Sequence, residues 1–101
     1  MQAVRIASYK ITNGTFSEIA EEAKTGVLSK LQEQSGFIRY GVAKTGDATC
    51  LSISLWDSNA QAEAASLVVA TWVRENLADR VELRSTEVGE LAFFEGVPTT
   101  V

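Results

Sequence analysis

The chain has 101 residues and a formal net charge of −4, with 46% hydrophobic and 22% charged residues. This length and composition predict one globular domain, spanning residues 1–101. The basic residues are scattered along the sequence, so no basic stripe is available for nucleic acid. Because the chain has no histidine, it lacks the commonest general base, metal ligand and haem ligand. We therefore expect no metal, no cofactor and no nucleic-acid partner.

The cysteine content and the N-terminal sequence bear on the compartment. A single cysteine cannot form an internal disulfide and suits a reducing environment. The first ten residues, MQAVRIASYK, lack the pattern of a signal peptide. No apolar run approaches the ~20 residues that a membrane helix requires. The sequence predicts a cytoplasmic protein that does not bind a membrane.

The first strand and the first helix are predicted by a change of hydrophobic period. Residues 2–9 alternate, with Val4 and Ile6 on one face and small or polar side chains on the other. A capping box follows, with a hydroxyl at Thr15 and a carboxylate at Glu18. Apolar residues then recur at helical spacing for about twenty residues, and Gly36 is predicted to end the helix.

A β-hairpin is predicted next, formed by residues 37–44 and 49–56 around a short polar turn. In the second of these strands the aliphatic side chains share one face. The other face carries Cys50, Ser52, Ser54 and Trp56.

A second helix begins at the capping box Ser58 to Gln61, and it places Trp72 and Asn76 four residues apart on one face. Residues 81–95 predict the last strand. Gly89 disturbs its alternation, so we expect either one bent strand or two short ones.

The order β-α-β-β-α-β predicts an α+β, ferredoxin-like antiparallel sheet with two helices on one face. We expect the uncovered face to carry the alanine, cysteine, serine, tyrosine and tryptophan positions of the strands. Because that face is half apolar, it predicts an obligate homodimer with the two sheets packed face to face. The segment after Gly89, apolar on both sides, is expected to cross to the partner.

Three segments carry a resemblance to a known family: Leu55-Trp56-Asp57, Ser58-Asn59-Ala60-Gln61-Ala62, and the run from Val88 to Phe94. On these residues the chain resembles the antibiotic-biosynthesis-monooxygenase-like families of the dimeric α+β barrel superfamily. That family includes cofactor-free oxygenases of aromatic polyketides and quinols, haem-degrading enzymes and proteins of unknown activity. The haem branch is the least similar, because its ligand is a helix histidine, and we expect no haem complex here.

The resemblance implies roles for particular side chains, since Asn and Trp residues on the second helix and nearby loops orient substrate and oxygen in the oxygenase branch. The residues in comparable places imply a catalytic set of Trp72, Asn76 and Asn59. The implied substrate-binding set is Trp56, Tyr40, Arg39 and Asn13.

Each of these residues also has a structural interpretation. Trp56 also fits a core aromatic at a strand end, and Asn76 can donate to a backbone carbonyl near the helix C-terminus. Arg39 suits either an anionic substrate or a salt bridge across a dimer. Asn59 and Asn13 fit a first helical turn and a turn before glycine. Cys50 is a buried small hydrophobe rather than a nucleophile, because no histidine is present to activate it.

Two functions therefore remain open. The first is a cofactor-independent monooxygenase acting on an aromatic quinol or a polyketide-like substrate. The second is a non-catalytic dimer of the same fold that binds a small ligand or has a structural role.

Overall fold

The computed structural model describes residues 1–96, so the proline-containing end of the predicted tail, residues 97–101, lies outside the described residues. Six elements follow one another in the predicted β-α-β-β-α-β order. Their bounds are β1 Ala3–Ile11, α1 Phe16–Gln32, β2 Phe37–Gly46, β3 Thr49–Trp56, α2 Asn59–Asn76 and β4 Val81–Glu90. The strands form one antiparallel sheet in the order β2-β3-β1-β4. The predicted ferredoxin-like α+β fold is confirmed.

Local sequence chemistry sets where the helices begin. The Glu18 backbone N–H donates to the Thr15 hydroxyl oxygen at 3.2 Å, and the Gln61 N–H donates to the Ser58 hydroxyl oxygen at 3.3 Å. Both predicted N-caps are therefore confirmed. The predicted end of α1 is wrong, because the helix stops at Gln32, before Gly36 is reached. Gly36 serves the following turn instead, with a φ of +83° that favours glycine.

The helices cover the opposite face of the sheet from the one that the sequence predicted. The helices cover the face with the small and aromatic strand residues: Ala3, Ala7, Tyr9, Cys50 and Trp56 all belong to the buried core. The opposite face, here called the open face, carries the aliphatic side chains Val4, Ile6, Leu51, Ile53 and Leu55, none of which belongs to that core.

Helix packing explains the reversal. The helices bring their own large side chains, such as Ile19, Leu31 and Val69, into the space above the sheet. Small residues on β1 and β3 let the helices approach closely, whereas a second layer of large aliphatic residues would overfill that space. The open face is consequently more apolar than the sequence predicted, because aliphatic rather than small and polar positions lie on it.

The last strand also differs from the prediction. β4 is one strand that ends at Glu90, and its bulge lies at Arg84, since Ser8 pairs with Ser85 but Tyr9 pairs with Leu83. Gly89 keeps its register opposite Val4. Beyond the strand, the Leu91 N–H donates to the Gln2 carbonyl at 2.8 Å. The next residues leave the sheet, so residues 91–95 are neither part of a bent strand nor a second strand.

Candidate functional site

A small cavity lies between the sheet and both helices, and we call it the inner cavity. Its volume is about 30 Å³, and aliphatic side chains from α1, α2 and β4 form most of its wall. The polar groups facing it come from β1, β2 and β3. They are Tyr9, Tyr40, Cys50 and Ser52. A cavity of this size holds about one water molecule, whereas an aromatic ring needs a cavity of roughly 150 Å³.

One hydroxyl at this cavity lacks a hydrogen bond. Within residues 1–96, Ser52 Oγ is the buried side-chain oxygen or nitrogen left without a partner. An unpaired buried hydroxyl costs about 1–3 kcal/mol of stability. A site of this kind suits a small molecule that can accept or donate one hydrogen bond.

Burial raises the pKa of two acidic groups of the inner cavity, the Tyr40 phenol and the Cys50 thiol. Burial, reinforced by the neighbouring Tyr9 and only partly offset by the Arg5 cation, raises the pKa of the Tyr40 phenol well above its ordinary value of 10.0. Burial also raises the pKa of the Cys50 thiol above its ordinary value of 9.0. At neutral pH both groups are protonated, so they can donate hydrogen bonds but cannot serve as a general base.

These raised pKa values predict an alkaline loss of stability. An acid whose pKa is higher in the folded chain stabilises folding below its unfolded pKa, and the stabilisation disappears as the pH rises towards the folded pKa. For Tyr40 this decline starts near pH 10.0, with a slope of up to about 1.4 kcal/mol per pH unit.

Urea unfolding between pH 7 and 11 measures this effect. We expect Tyr40→Phe to lose less stability above pH 10 than the wild type. The matched control is Tyr40→Leu, which removes the ring as well and should be destabilised at every pH. Equal pH slopes for the wild type and Tyr40→Phe would contradict the assignment.

A larger site, here called the α2–β4 groove, lies between α2 and the edge strand β4. Its volume is about 480 Å³, which is in the range of small-molecule sites. Aliphatic residues including Leu67, Ala70 and Leu83 form its walls, and Leu67 is 74% exposed at the rim. Tyr9 contributes to this groove and to the inner cavity, as do Val73 and Val81. These three side chains therefore form a wall shared by the α2–β4 groove, which has room for an aromatic molecule, and the inner cavity, which has room for a diatomic one.

Two arginines line this groove, and Arg5 is buried whereas Arg74 is exposed. Arg5 projects from β1 towards α2, is only 2% exposed, and its Nε donates to the Ser66 hydroxyl oxygen at 2.8 Å. The Ser66 hydroxyl donates in turn to the Ala62 carbonyl at 3.3 Å. Within residues 1–96 the ion pairs are Arg80 with Glu22 and Arg84 with Glu82, so Arg5 has no carboxylate partner in the part of the chain described.

Among the predicted catalytic residues, Trp72 lines the inner cavity. Its indole lies against α1 at Gly26, where an added Cβ would be 2.3 Å from Trp72 Cζ2. Asn76 is exposed, and its Nδ2 donates to the Trp72 carbonyl at 2.9 Å. This hydrogen bond matches the structural interpretation of Asn76, in which the side chain donates to a backbone carbonyl of its own helix. Trp72 and Asn76 do meet, together with Glu22, around a separate cleft of about 280 Å³ between the helices. Asn59 begins α2, about 20 Å along the helix from Trp72.

The predicted substrate-binding residues are dispersed. Tyr40 faces the inner cavity, but Trp56, Arg39 and Asn13 line neither that cavity nor the groove. Trp56 is fully buried, donates from Nε1 to Ser54 Oγ at 2.9 Å and packs edge-on against Phe37 at 5.4 Å. Arg39 pairs with Leu55 and therefore lies on the open face. Asn13 lies in the β1–α1 loop, where its N–H donates to the Arg80 carbonyl at 3.3 Å.

Sequence reasoning missed six polar residues of the inner cavity and the groove: Arg5, Tyr9, Ser52, Ser66, Arg74 and Thr86. A signal for Arg5 was present, because a long cation stands between Ala3 and Ala7 on a face of small side chains. The sequence analysis expected this face to be the one that the helices leave uncovered, so Arg5 was not considered as a buried site residue.

Residues 1–96 contain no candidate metal site and no candidate membrane-spanning helix. In this range no group of three or more Cys, Asp or Glu side chains converges as a metal site would require. No helix in the same range is both long and apolar enough to cross a membrane.

The strand order and the two helices on one face of the sheet form a fold that comparison with solved structures also finds in antibiotic-biosynthesis-monooxygenase-like proteins. SnoaB, a cofactor-independent oxygenase from Streptomyces nogalater, is 15% identical, with a TM-score of 0.67 over 97% of this chain and 98% of SnoaB. A candidate antibiotic biosynthesis monooxygenase from Nitrosomonas europaea is 17% identical, with a TM-score of 0.69 over 94% of each chain.

A Nitrosomonas europaea protein of unknown function is also similar, with 18% identity and a TM-score of 0.74 over 98% of this chain and 96% of that protein. No family model matches the chain, and no curated protein matches it. At these identities the likeness establishes a shared fold.

Proposed function

We propose that this protein is a cofactor-independent monooxygenase that oxidises an aromatic quinol or polyketide-like substrate in the α2–β4 groove. The observation that carries the proposal is the adjacency of the groove and the inner cavity. The groove has the volume of an aromatic molecule, and the inner cavity behind Tyr9, Val73 and Val81 has the volume of a diatomic one. The fold, shared with the oxygenase SnoaB, supports the same proposal.

The proposed reaction draws all its electrons from the substrate. The substrate loses a proton to water, and its anion passes one electron to dioxygen. The resulting radical and superoxide combine into a carbon–oxygen bond and, with a proton, form a hydroperoxide. The O–O bond then breaks as the carbon loses its remaining hydrogen as a proton. One oxygen atom stays in the product carbonyl and the other leaves as water.

The groups near these sites fit particular parts of that reaction. The protonated phenol of Tyr40 and thiol of Cys50 exclude a protein base in the inner cavity at neutral pH. The proton therefore leaves to solvent through the open side of the groove, and apolar walls protect the radical pair from water. The Arg5 cation favours the anionic form of the substrate, which lowers the energy of the first step.

Oxygen uptake with a panel of hydroquinones and anthrones tests the proposal. Ala70→Trp places an indole in the groove from an exposed position of α2, and we expect it to lower kcat/KM about 100-fold or more. Thr71→Trp is the matched control, because it adds the same ring at the next exposed position, outside the groove. Uptake in that variant should stay within about twofold of the wild type.

Uptake by the wild type that does not exceed the uncatalysed rate would refute the monooxygenase proposal. Equal activity in Ala70→Trp and Thr71→Trp would show that the substrate does not bind in the α2–β4 groove. The second candidate is a non-catalytic protein that binds a small ligand. The small volume of the inner cavity and its protonated acidic groups favour this candidate, and it predicts ligand binding in the groove without oxygen consumption.

A further inference from the structure

The buried Arg5 cation faces the α2–β4 groove, and no carboxylate within residues 1–96 forms an ion pair with it. The Arg5 side chain uses Nε for Ser66, and within residues 1–96 no side chain or carbonyl accepts a hydrogen bond from its two terminal nitrogens. Those nitrogens are also not sealed off, since Ser52 Oγ is the one buried, unpaired polar side-chain atom in that range. A guanidinium fixed at Nε presents its remaining N–H groups in a planar fork that suits an oxyanion.

The charges around Arg5 favour an anion as well. Arg74 also lines the groove, and none of the Asp and Glu residues in the described range 1–96 does. This concentration of positive charge occurs in a chain whose net charge is −4. Burial of Arg5 among apolar walls weakens solvent screening, so an anion brought to it interacts more strongly than at an exposed arginine.

The aliphatic walls of the groove indicate the chemistry of the rest of the ligand, to which the anionic group is attached. Leu67, Ala70 and Leu83 offer aliphatic surface, and Leu67 and Leu83 are 74% and 52% exposed. Aliphatic side chains on both sides of a narrow groove suit a flat apolar body. An inorganic anion would leave that surface in water, whereas an aromatic acid would cover it.

From this geometry we propose that the α2–β4 groove is a binding site for an aromatic oxyanion, with the carboxylate or phenolate held by Arg5 and the ring held between Leu67 and Leu83. The proposal deepens the proposed function by naming the substrate class, and only its catalytic consequence rests on that function. Arg5 acts as the binding residue for the anionic group. Ser66 is a positioning residue, because it holds Nε and thereby orients the rest of the fork.

Isothermal titration calorimetry with 2-naphthoate tests the site without any turnover. The uncharged counterpart is 2-naphthalenemethanol, which has the same ring system and a hydroxyl in place of the carboxylate. We expect the wild type to bind the acid about 10- to 100-fold more tightly than the alcohol, as a charge-assisted hydrogen-bonded pair would give. Arg5→Met should abolish that preference and leave binding of the alcohol unchanged.

Two variants accompany this measurement. Arg84→Met removes one positive charge from the same sheet outside the groove, so it should keep the preference for the acid. Leu67→Glu places a carboxylate at an exposed position of the groove rim, where folding is not at risk, and it should weaken binding of 2-naphthoate more than binding of the uncharged alcohol. Leu67→Glu therefore decides the question if Arg5→Met does not fold, which circular dichroism would reveal.

Equal affinity of the wild type for the acid and the alcohol would overturn the site. A folded Arg5→Met variant that retains the preference for the acid would overturn the role of Arg5. The two proposals fail separately. If 2-naphthoate binds through Arg5 but no quinol supports oxygen uptake, the anion site stands and the oxygenase proposal is refuted. Oxygen uptake that Arg5→Met does not change, together with equal affinity of the wild type for the acid and the alcohol, would keep the oxygenase and remove the anion site.

Discussion

Replacing Gly26 with leucine is expected to destabilise the fold by about 3 kcal/mol. The Cβ alone would lie 2.3 Å from Trp72 Cζ2, 2.6 Å from Cε2 and 2.7 Å from Nε1, all closer than real Cβ atoms approach their neighbours. The indole cannot move aside easily, because Trp72 is only 9% exposed and packed in the core. Overpacking of this kind outweighs the gain of about 1 kcal/mol from replacing a helical glycine.

Urea unfolding measures this effect, and two further variants identify its cause. Ser29→Leu makes a comparable change at an exposed position of the same helix, so we expect a shift within about 0.5 kcal/mol. Adding Trp72→Phe to Gly26→Leu should recover part of the lost stability, because a smaller ring leaves room for the new side chain. If the effects of Gly26→Leu and Trp72→Phe simply add, the contact between the two helices is not the cause.

Replacing Ile53 with lysine is expected to abolish a homodimer formed through the open face. Ile53 pairs with Ile6 on β1 and Gly41 on β2, so it lies in the interior of the sheet. Aliphatic side chains on that face do not belong to the core of their own chain, and burying them against a second copy would remove apolar surface from water. A lysine there would place an unpaired charge in the interface, which costs several kcal/mol.

Analytical ultracentrifugation at low micromolar concentration measures the assembly. The wild type should sediment at twice the chain mass of 10.9 kDa, and Ile53→Lys as a monomer or an unfolded chain. Leu67→Lys introduces the same charge on α2, away from the open face, and should remain dimeric. A stable, monodisperse wild-type monomer would refute the homodimer and would require another explanation for the aliphatic face.

Predictions that depend on neighbouring residues in the sequence were largely correct. The hydroxyls of Thr15 and Ser58 cap their helices because the atoms they bond lie three residues away, within one turn. Alternation in β1 and β3 correctly grouped Ala3, Arg5 and Ala7 on one face. The interpretation of Asn76 as a donor to a backbone carbonyl also needed only its own helix.

Predictions that depend on packing between distant segments were weaker. The expected bend at Gly89 is absent, because the bulge that adjusts β4 to β1 lies at Arg84, where nothing in the sequence of β4 distinguishes it. The functional roles predicted from the sequence remain predictions for all seven residues, which are Trp72, Asn76, Asn59, Trp56, Tyr40, Arg39 and Asn13.

By itself, the sequence determined the order of strands and helices, the starts of both helices and the membership of each face of β1 and β3, whereas bulges in β2 and β4 moved residues to the other face. It could not determine which face the helices cover, because a period of two groups residues without saying which group is buried. Both faces of this sheet are apolar enough to be a core. Only the tertiary structure decided between them, since large side chains from α1 and α2 fit above small strand residues. That choice placed Arg5 beneath α2, where its cation can serve a binding site.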